Sequence, residues 1–175
     1  MKDKIQVTKL DAARRQLITA IRLYFADSDI VSIHTLTAAA YQITRAVCES
    51  DVSLPKSFSD LVSPLVKDEW KKKIWAKLNE TANFFKHADH DPSAVHSFRP
   101  EQTETLLFTT VYQYEALTKD RILETRLYSI WFRLQYPEGF NLPPEAVTLG
   151  KTVFRSRQEF YQMASVLLMQ TSITI

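Results

Sequence analysis

Apolar residues recur every three or four positions in six segments of the chain, and polar or proline-containing stretches separate these segments. Such spacing is typical of α-helices that bury one face. The segments are residues 8 or 11 to 25, 30 to 49, 64 to 87, 100 to 117, 122 to 136 and 157 to 169. The pattern therefore predicts an all-α protein, an antiparallel bundle of about six helices with a short extra helix after Pro144.

The composition supports an all-helical fold. The chain of 175 residues contains only two glycines, Gly139 and Gly150. A β-rich protein of this length needs many more glycines for its tight turns. The length, together with 45% hydrophobic residues, predicts a single helical domain over residues 1–175 that buries a sizeable core.

Charge and cysteine content narrow the classes of function. The formal net charge of +2 is too small to indicate a dedicated nucleic-acid surface, although a local basic patch is compatible with it. The lone cysteine, Cys48, excludes an intrachain disulfide framework and favours a reducing compartment. The first residues show no apolar core of a secretory signal, and no apolar run is long enough for a bilayer span. We expect a cytoplasmic protein without a membrane segment.

Polar residues form a stripe along the second predicted helix. On a helical wheel, His34, Ala38, Tyr41 and Arg45 fall within about 60° of one another. The apolar stripe of this helix lies on the opposite side and comprises Leu36, Ala39, Ala40, Ile43 and Val47. The spacing therefore predicts that His34 lies on a polar surface and not in the core.

A second polar stripe ends the third predicted helix, in the segment NETANFFKHADHDP. Glu80, Asn83 and His87 cluster within about 60° on the wheel. The opposite, apolar stripe comprises Ile74, Leu78, Ala82 and Phe85. If the two polar stripes face each other, they line one cleft, whereas two separate solvated faces are the alternative. The predicted ligand-binding residues are His34, Tyr41, Arg45, Asn83, Lys86 and His87.

The end of the same segment contains residues of the metal-ligand type. They are His87, Asp89, His90 and Asp91, and histidines three positions apart share a helix face. Their spacing matches no established zinc pattern, and aspartates before Pro92 also serve to end a helix. We therefore expect no metal and no cofactor, with these four residues as weak metal candidates.

The stretch ANFFKHADHDP resembles one found in bacterial helical proteins with an NFFKHAD core. The similarity extends back through LDAARRQLITAIRLYF and VSIHTLTAAAYQI, which is roughly the first hundred residues. It implies a helical bundle and a bacterial setting, and it implies no particular activity.

The same segment is similar, more loosely, to the HEPN superfamily of helical proteins. Active members of that superfamily carry an arginine, a following polar residue and a histidine shortly after it. Asn83 and His87 match the last two elements, whereas the arginine is absent here. The resemblance implies a metal-independent ribonuclease with His87, Asn83 and Lys86 as catalytic candidates, in which a histidine acts as the general base on a 2′-hydroxyl.

The third interpretation is a binding module without catalysis. Lysines interleaved with tryptophans either contact phosphates and bases or form a solvated helix face with a buried aromatic side. These residues are Lys67, Lys71, Lys72, Lys73 and Lys77 with Trp70 and Trp75. We predict a binding or interaction module for an anionic ligand or a protein partner. A ribonuclease or RNA-binding protein and a metal-binding protein are the alternatives, and exposed stripes on two helices are compatible with a homodimer.

Overall fold

The computed structural model describes residues 4–50, 53, 68–87, 91–145, 148 and 153–171, without the side chains of residues 68–75 and 171. This part of the chain contains six α-helices and no β-strand. The helices are α1 (Lys9–Phe25), α2 (Ile30–Ser50), α3 (Asp68–Phe84), α4 (Pro100–Thr118), α5 (Leu123–Gln135) and α6 (Arg157–Thr171), with a 3₁₀ turn at Pro137–Gly139. The prediction of an all-α helix bundle is therefore confirmed.

Local hydrogen bonds determine where several helices begin. At α1 the Thr8 hydroxyl accepts from the backbone N–H of Asp11 (3.1 Å), and the Asp11 carboxylate accepts from the backbone N–H of Thr8 (3.1 Å). This reciprocal pair is a capping box. At α6 the Ser156 hydroxyl accepts from the backbone N–H of Glu159 (3.1 Å). Pro100 occupies the first turn of α4, where no intrahelical partner for an N–H is available.

Two predicted elements extend beyond what the structure describes. The third predicted helix, residues 64 to 87, corresponds to α3, which ends at Phe84 and is followed by a turn. The described part of the chain does not include residues 64–67, among them Lys67. It also does not include the side chains of Trp70, Lys71, Lys72, Lys73, Ile74 and Trp75. In the stretch of the short helix predicted after Pro144, residues 144, 145, 148 and 153 are described, and all four are helical.

The main core lies between α1, α2, α4, α5 and α6. Its fully buried members from α1 are Ala13, Leu17, Ala20 and Ile21, and Phe25 from the same helix stacks on Phe160 of α6 (centroids 5.9 Å apart). The other buried members are Tyr24, Ile33, Ala40, Leu107, Phe108, Val111, Tyr114, Leu127, Tyr128 and Trp131. Each large apolar side chain contributes roughly 1.5–3 kcal/mol by leaving water. This cluster holds the five helices together.

A second core cluster covers the opposite side of α2. It joins Ala38 and Tyr41 of α2 to Leu78 and Ala82 of α3 and to Leu106 of α4. Helix α2 is therefore buried on two faces, whereas the wheel assumed one. The predicted apolar stripe was wrong in this respect. Ala40 is its one fully buried member, whereas Leu36, Ala39, Ile43 and Val47 are partly exposed.

None of the described helices combines the length and the apolar character that crossing a bilayer requires.

Candidate functional site

The six predicted ligand-binding residues do not share one surface. His34 and Tyr41 are buried, and Arg45 is partly exposed and pairs with Glu49 (Nε to Oε1, 2.8 Å). The other three are exposed at the end of α3 and in the following turn: Asn83, Lys86 and His87. The prediction that His34 and Tyr41 line a polar surface was wrong, because the second core cluster covers that side of α2.

His34 lies within a cluster of aromatic and polar side chains from three parts of the chain. Its Nδ1 is 3.0 Å from the Thr103 hydroxyl of α4, and the rings of Phe85 and Phe98 meet it edge-on at centroid distances of 5.5 and 5.9 Å. Its Nε2 is enclosed and has no hydrogen-bond partner in the described part of the chain. We call His34, Phe85, His96, Phe98 and Thr103 the His34 cluster.

Burial determines the protonation of His34. The loss of water, followed by the positive charges of Lys86 and His96, lowers the pKa of His34 to about 4. The imidazole is therefore neutral at neutral pH. Because the side chain has no solvent-accessible surface, it cannot line a cleft together with the exposed His87, so the predicted shared cleft was also wrong.

Asn83 and His87 keep the relation that the wheel predicted. The backbone N–H of His87 donates to the carbonyl of Asn83 (3.0 Å), so the helical spacing continues through the turn that follows α3. Both side chains are exposed, whereas Phe85 is half-buried in the His34 cluster. The end of α3 therefore presents a polar side to solvent and an aromatic side to the core.

A hydrogen-bonded chain links the His34 cluster to α4 through residues that the sequence analysis did not select. The Thr81 hydroxyl lies 2.9 Å from Nε2 of His96 and donates to Oε1 of Gln102 (3.4 Å). A hydroxyl has a single proton, so the Nε2–H of His96 is the donor in the first contact. Because the carbonyl oxygen of Gln102 faces Thr81, its NH₂ group is left for another partner.

Gln102 lies in a groove between α3 and α4, which we call the α3–α4 groove. The groove has a volume of about 550 Å³ and is lined by Lys77, Leu78, Arg99, Glu101, Gln102 and Thr105. Leu78 gives it an apolar floor that belongs to the second core cluster. The groove therefore combines an apolar base with polar groups at its sides.

The lining of the α3–α4 groove carries two cations, Lys77 and Arg99. The Lys77 ammonium forms an ion pair with Glu80 (Nζ to Oε2, 3.2 Å). Glu101 is the one carboxylate among the lining residues. The Arg99 guanidinium forms no ion pair with any residue that the structure describes, and Arg99 also precedes the first turn of α4. Arg99 therefore lies at the positive end of the α4 helix dipole, which makes this end of the groove more positive. Arg99 and Gln102 are three positions apart in the sequence, and this spacing places two residues on the same side of a helix.

The structure describes two of the four residues that were predicted as metal ligands. Asp89 and His90 lie outside the described residues, whereas His87 and Asp91 are described and exposed. Within the described ranges, no three His, Cys, Asp or Glu residues come close enough together to hold a metal ion.

A second polar centre lies on the other side of α4. The Glu104 carboxylate accepts from the hydroxyls of Tyr24 (2.9 Å) and Tyr136 (2.5 Å), and Tyr24 in turn accepts from the indole N–H of Trp131 (3.1 Å). The Tyr128 hydroxyl donates to the backbone carbonyl of Glu104 (2.9 Å). We call these five residues the Glu104 network. It connects α1, α4, α5 and the residue after α5.

The Glu104 network holds helices together through hydrogen bonds whose tyrosine donors stay protonated. Burial, followed by the charge of Glu104, raises the pKa of Tyr24 to about 12, so the phenol stays protonated and remains a donor. An adjoining cleft of about 430 Å³ is bordered by Arg155, Ser156 and Arg157. Arg157 pairs with Asp27 and stacks on the Tyr24 ring (4.3 Å to the centroid). Since Glu104, Tyr24, Tyr136 and Arg157 already have partners, they hold helices together.

Comparison with protein-family models, with curated proteins and with solved structures gives no significant match.

Proposed function

We propose that the protein is a binding module for a small anionic molecule and that the ligand binds in the α3–α4 groove. One observation carries this proposal. Three residues with hydrogen-bond donor groups, Lys77, Arg99 and Gln102, line one groove together with the apolar Leu78.

The dimensions and the composition of the groove favour a ligand with an apolar body. Small-molecule sites are typically clefts of about 300–1,000 Å³ with mainly apolar walls and a few fixed polar groups. The α3–α4 groove, with a volume of about 550 Å³, has this character. Leu78 would contact the apolar part of the ligand, and the cationic side chains would contact its anionic head.

Arg99 is expected to contribute most to affinity. A guanidinium bonds an oxyanion through two parallel N–H groups, which fixes the orientation of the ligand as well as its charge. Lys77 already shares its charge with Glu80, so its attraction for a ligand is weaker. Gln102 is held by Thr81, which reduces the entropy lost on binding.

The dye 1-anilinonaphthalene-8-sulfonate tests this proposal, because it has an apolar body and a sulfonate head. We expect its fluorescence titration to show binding to the folded protein and about ten-fold weaker binding by Arg99→Gln, which is about 1.4 kcal/mol. The neutral analogue N-phenyl-1-naphthylamine, which lacks the sulfonate, should bind both forms equally.

Arg15→Gln is the matched control, since Arg15 is an exposed arginine of α1, away from the groove. It should leave both titrations unchanged. Equal losses in Arg99→Gln and Arg15→Gln would show that the dye responds to overall charge and would contradict the proposal.

Ribonuclease activity is the second candidate. It is favoured by the exposed Asn83 and His87, one helical turn apart, with Lys86 beside them. His87 would take a proton from a 2′-hydroxyl while Lys86 stabilises the charged phosphate. Incubation with mixed RNA in the presence of a chelator tests this. Cleavage by the purified protein that His87→Ala abolishes would support the enzyme, and intact RNA would reject it.

A further inference from the structure

A small cleft between the end of α4 and α5 is lined mainly by arginines. Its volume is about 240 Å³, and its lining residues are Glu115, Arg121, Arg126, Ser129, Ile130 and Arg133. It lies at the opposite end of α4 from the α3–α4 groove and shares no lining residue with it. We call it the arginine cleft.

Helical spacing brings the arginines together. Arg126 and Arg133 are seven positions apart in α5, with Ser129 and Ile130 between them, so all four lie along one side of the helix. Arg121 joins them from the connection that precedes α5. The position of these residues on one side of α5 follows from helix geometry alone.

The charges of the arginine cleft are not balanced. Glu115 is its one lining carboxylate and contacts Arg121 (Oε2 to Nε, 3.6 Å). Arg126 and Arg133 have no carboxylate partner among the described residues, and the Arg133 guanidinium lies over the Phe140 ring (5.4 Å to the centroid). Three guanidinium groups therefore face a single carboxylate.

Glu115 adds a second requirement. Its Oε1 atom is enclosed and has no hydrogen-bond partner among the described residues. A ligand hydroxyl would therefore reach the carboxylate at its other oxygen, Oε2, whose contact with Arg121 is long (3.6 Å) and leaves it able to accept. The cleft thus offers guanidinium donors for an oxyanion and an acceptor for a hydroxyl.

We propose that the arginine cleft binds a small phosphorylated molecule that also carries a hydroxyl group. A phosphate presents more peripheral oxygens than the two of a carboxylate, so it can accept from three guanidinium groups that approach from different directions. The small volume favours a phosphate with a short polyol or sugar body over a polymer.

Isothermal titration calorimetry with inorganic phosphate and with glycerol 3-phosphate, at constant ionic strength, tests the proposal. We expect one site for each probe and tighter binding of glycerol 3-phosphate, because only that probe brings a hydroxyl to Glu115. Arg126→Gln and Arg133→Gln should each weaken both probes about ten-fold. Glu115→Met should abolish the preference for glycerol 3-phosphate without weakening the binding of inorganic phosphate.

Two controls separate this site from other effects. Arg15→Gln changes the net charge equally and Arg99→Gln disrupts the α3–α4 groove, so both should leave phosphate binding intact, whatever the outcome for the groove. Arg133 is exposed, and its replacement should not alter the melting temperature. The proposal is overturned if neither probe binds, if Arg15→Gln weakens them equally, or if a single-stranded RNA displaces phosphate and loses its affinity in Arg126→Gln.

Discussion

Consecutive residues of α4 reach two different polar centres. Thr103 contacts His34 on one side of the helix, and Glu104 receives two tyrosine hydroxyls on the other. In the Glu104 network both carboxylate oxygens have a donor. Among the described residues, the Nε2 atom of His34 in the His34 cluster has no partner, and the NH₂ group of the neighbouring Gln102, at the α3–α4 groove, has none either.

This difference separates a structural centre from a functional one. A saturated network of buried polar groups stabilises one arrangement of the helices, because any movement would leave a group unpaired. A centre with unused donors beside a groove can offer them to a ligand. We therefore assign the Glu104 network to stability and the α3–α4 groove to binding.

Removal of the Glu104 carboxylate should have the largest effect on stability. Glu104→Ala leaves the Tyr24 and Tyr136 hydroxyls without their acceptor, and we expect it to lower the free energy of unfolding by about 3 to 4 kcal/mol. Thr103→Val, at the adjacent position, removes one hydrogen bond and should cost about 1 kcal/mol. Urea denaturation of both variants measures this. A Thr103→Val effect as large as that of Glu104→Ala would remove the distinction between the two centres.

The His34 cluster should make the protein sensitive to acid. The pKa of His34 is lowered from 6.5 to about 4, so the unfolded state binds the proton more tightly than the folded state does. This contribution to stability is full above pH 6.5 and decreases by about 3 kcal/mol as the pH falls to about 4. His34→Gln cannot titrate and should lack this part of the dependence. Parallel curves of unfolding free energy against pH for the two proteins would contradict the buried imidazole.

Phe85 should contribute less than a fully enclosed phenylalanine. It is half-buried and contacts His34 and Phe98, so we expect Phe85→Ala to cost about 2 kcal/mol, below the range of about 3–5 kcal/mol for core phenylalanines. Thermal unfolding checks this. An unchanged melting temperature would show that Phe85 does not close the cluster.

The smallest effects on stability are expected at the exposed end of α3. Asn83→Ala and His87→Ala should each change the free energy of unfolding by less than about 0.5 kcal/mol, which is the usual range for surface positions. Differential scanning calorimetry measures this. A loss of several kilocalories per mole in either variant would assign the residue to the structure of the turn and would weaken the ribonuclease hypothesis.

Sequence reasoning succeeded where the physical cause is local. The apolar spacing that begins at residue 8 or 11 and the proline at position 100 indicate helix starts within a few residues, and the bounds of five helices agree with the structure to within two residues. The opposite orientation of Phe85 and Asn83 also follows from helix geometry alone.

It failed where burial depends on how many neighbours a helix has. The wheel of α2 shows one apolar stripe, whereas the segment TAAAY places small residues on several faces and lets α3 and α4 approach the other side. His34 is buried for this reason. The Glu104 network joins residues 80 positions apart, and the α3–α4 groove joins α3 to Arg99, so neither has a signature within one segment.

Hydrogen–deuterium exchange with and without saturating 1-anilinonaphthalene-8-sulfonate tests the assignment of binding to the α3–α4 groove most directly. We predict slower exchange on binding in peptides that cover residues 76–87 and 99–106, because a bound ligand restrains both walls of the groove. Peptides that cover residues 155–162, beside the Glu104 network, should be unchanged. Protection of residues 155–162 without protection of the groove would contradict the account.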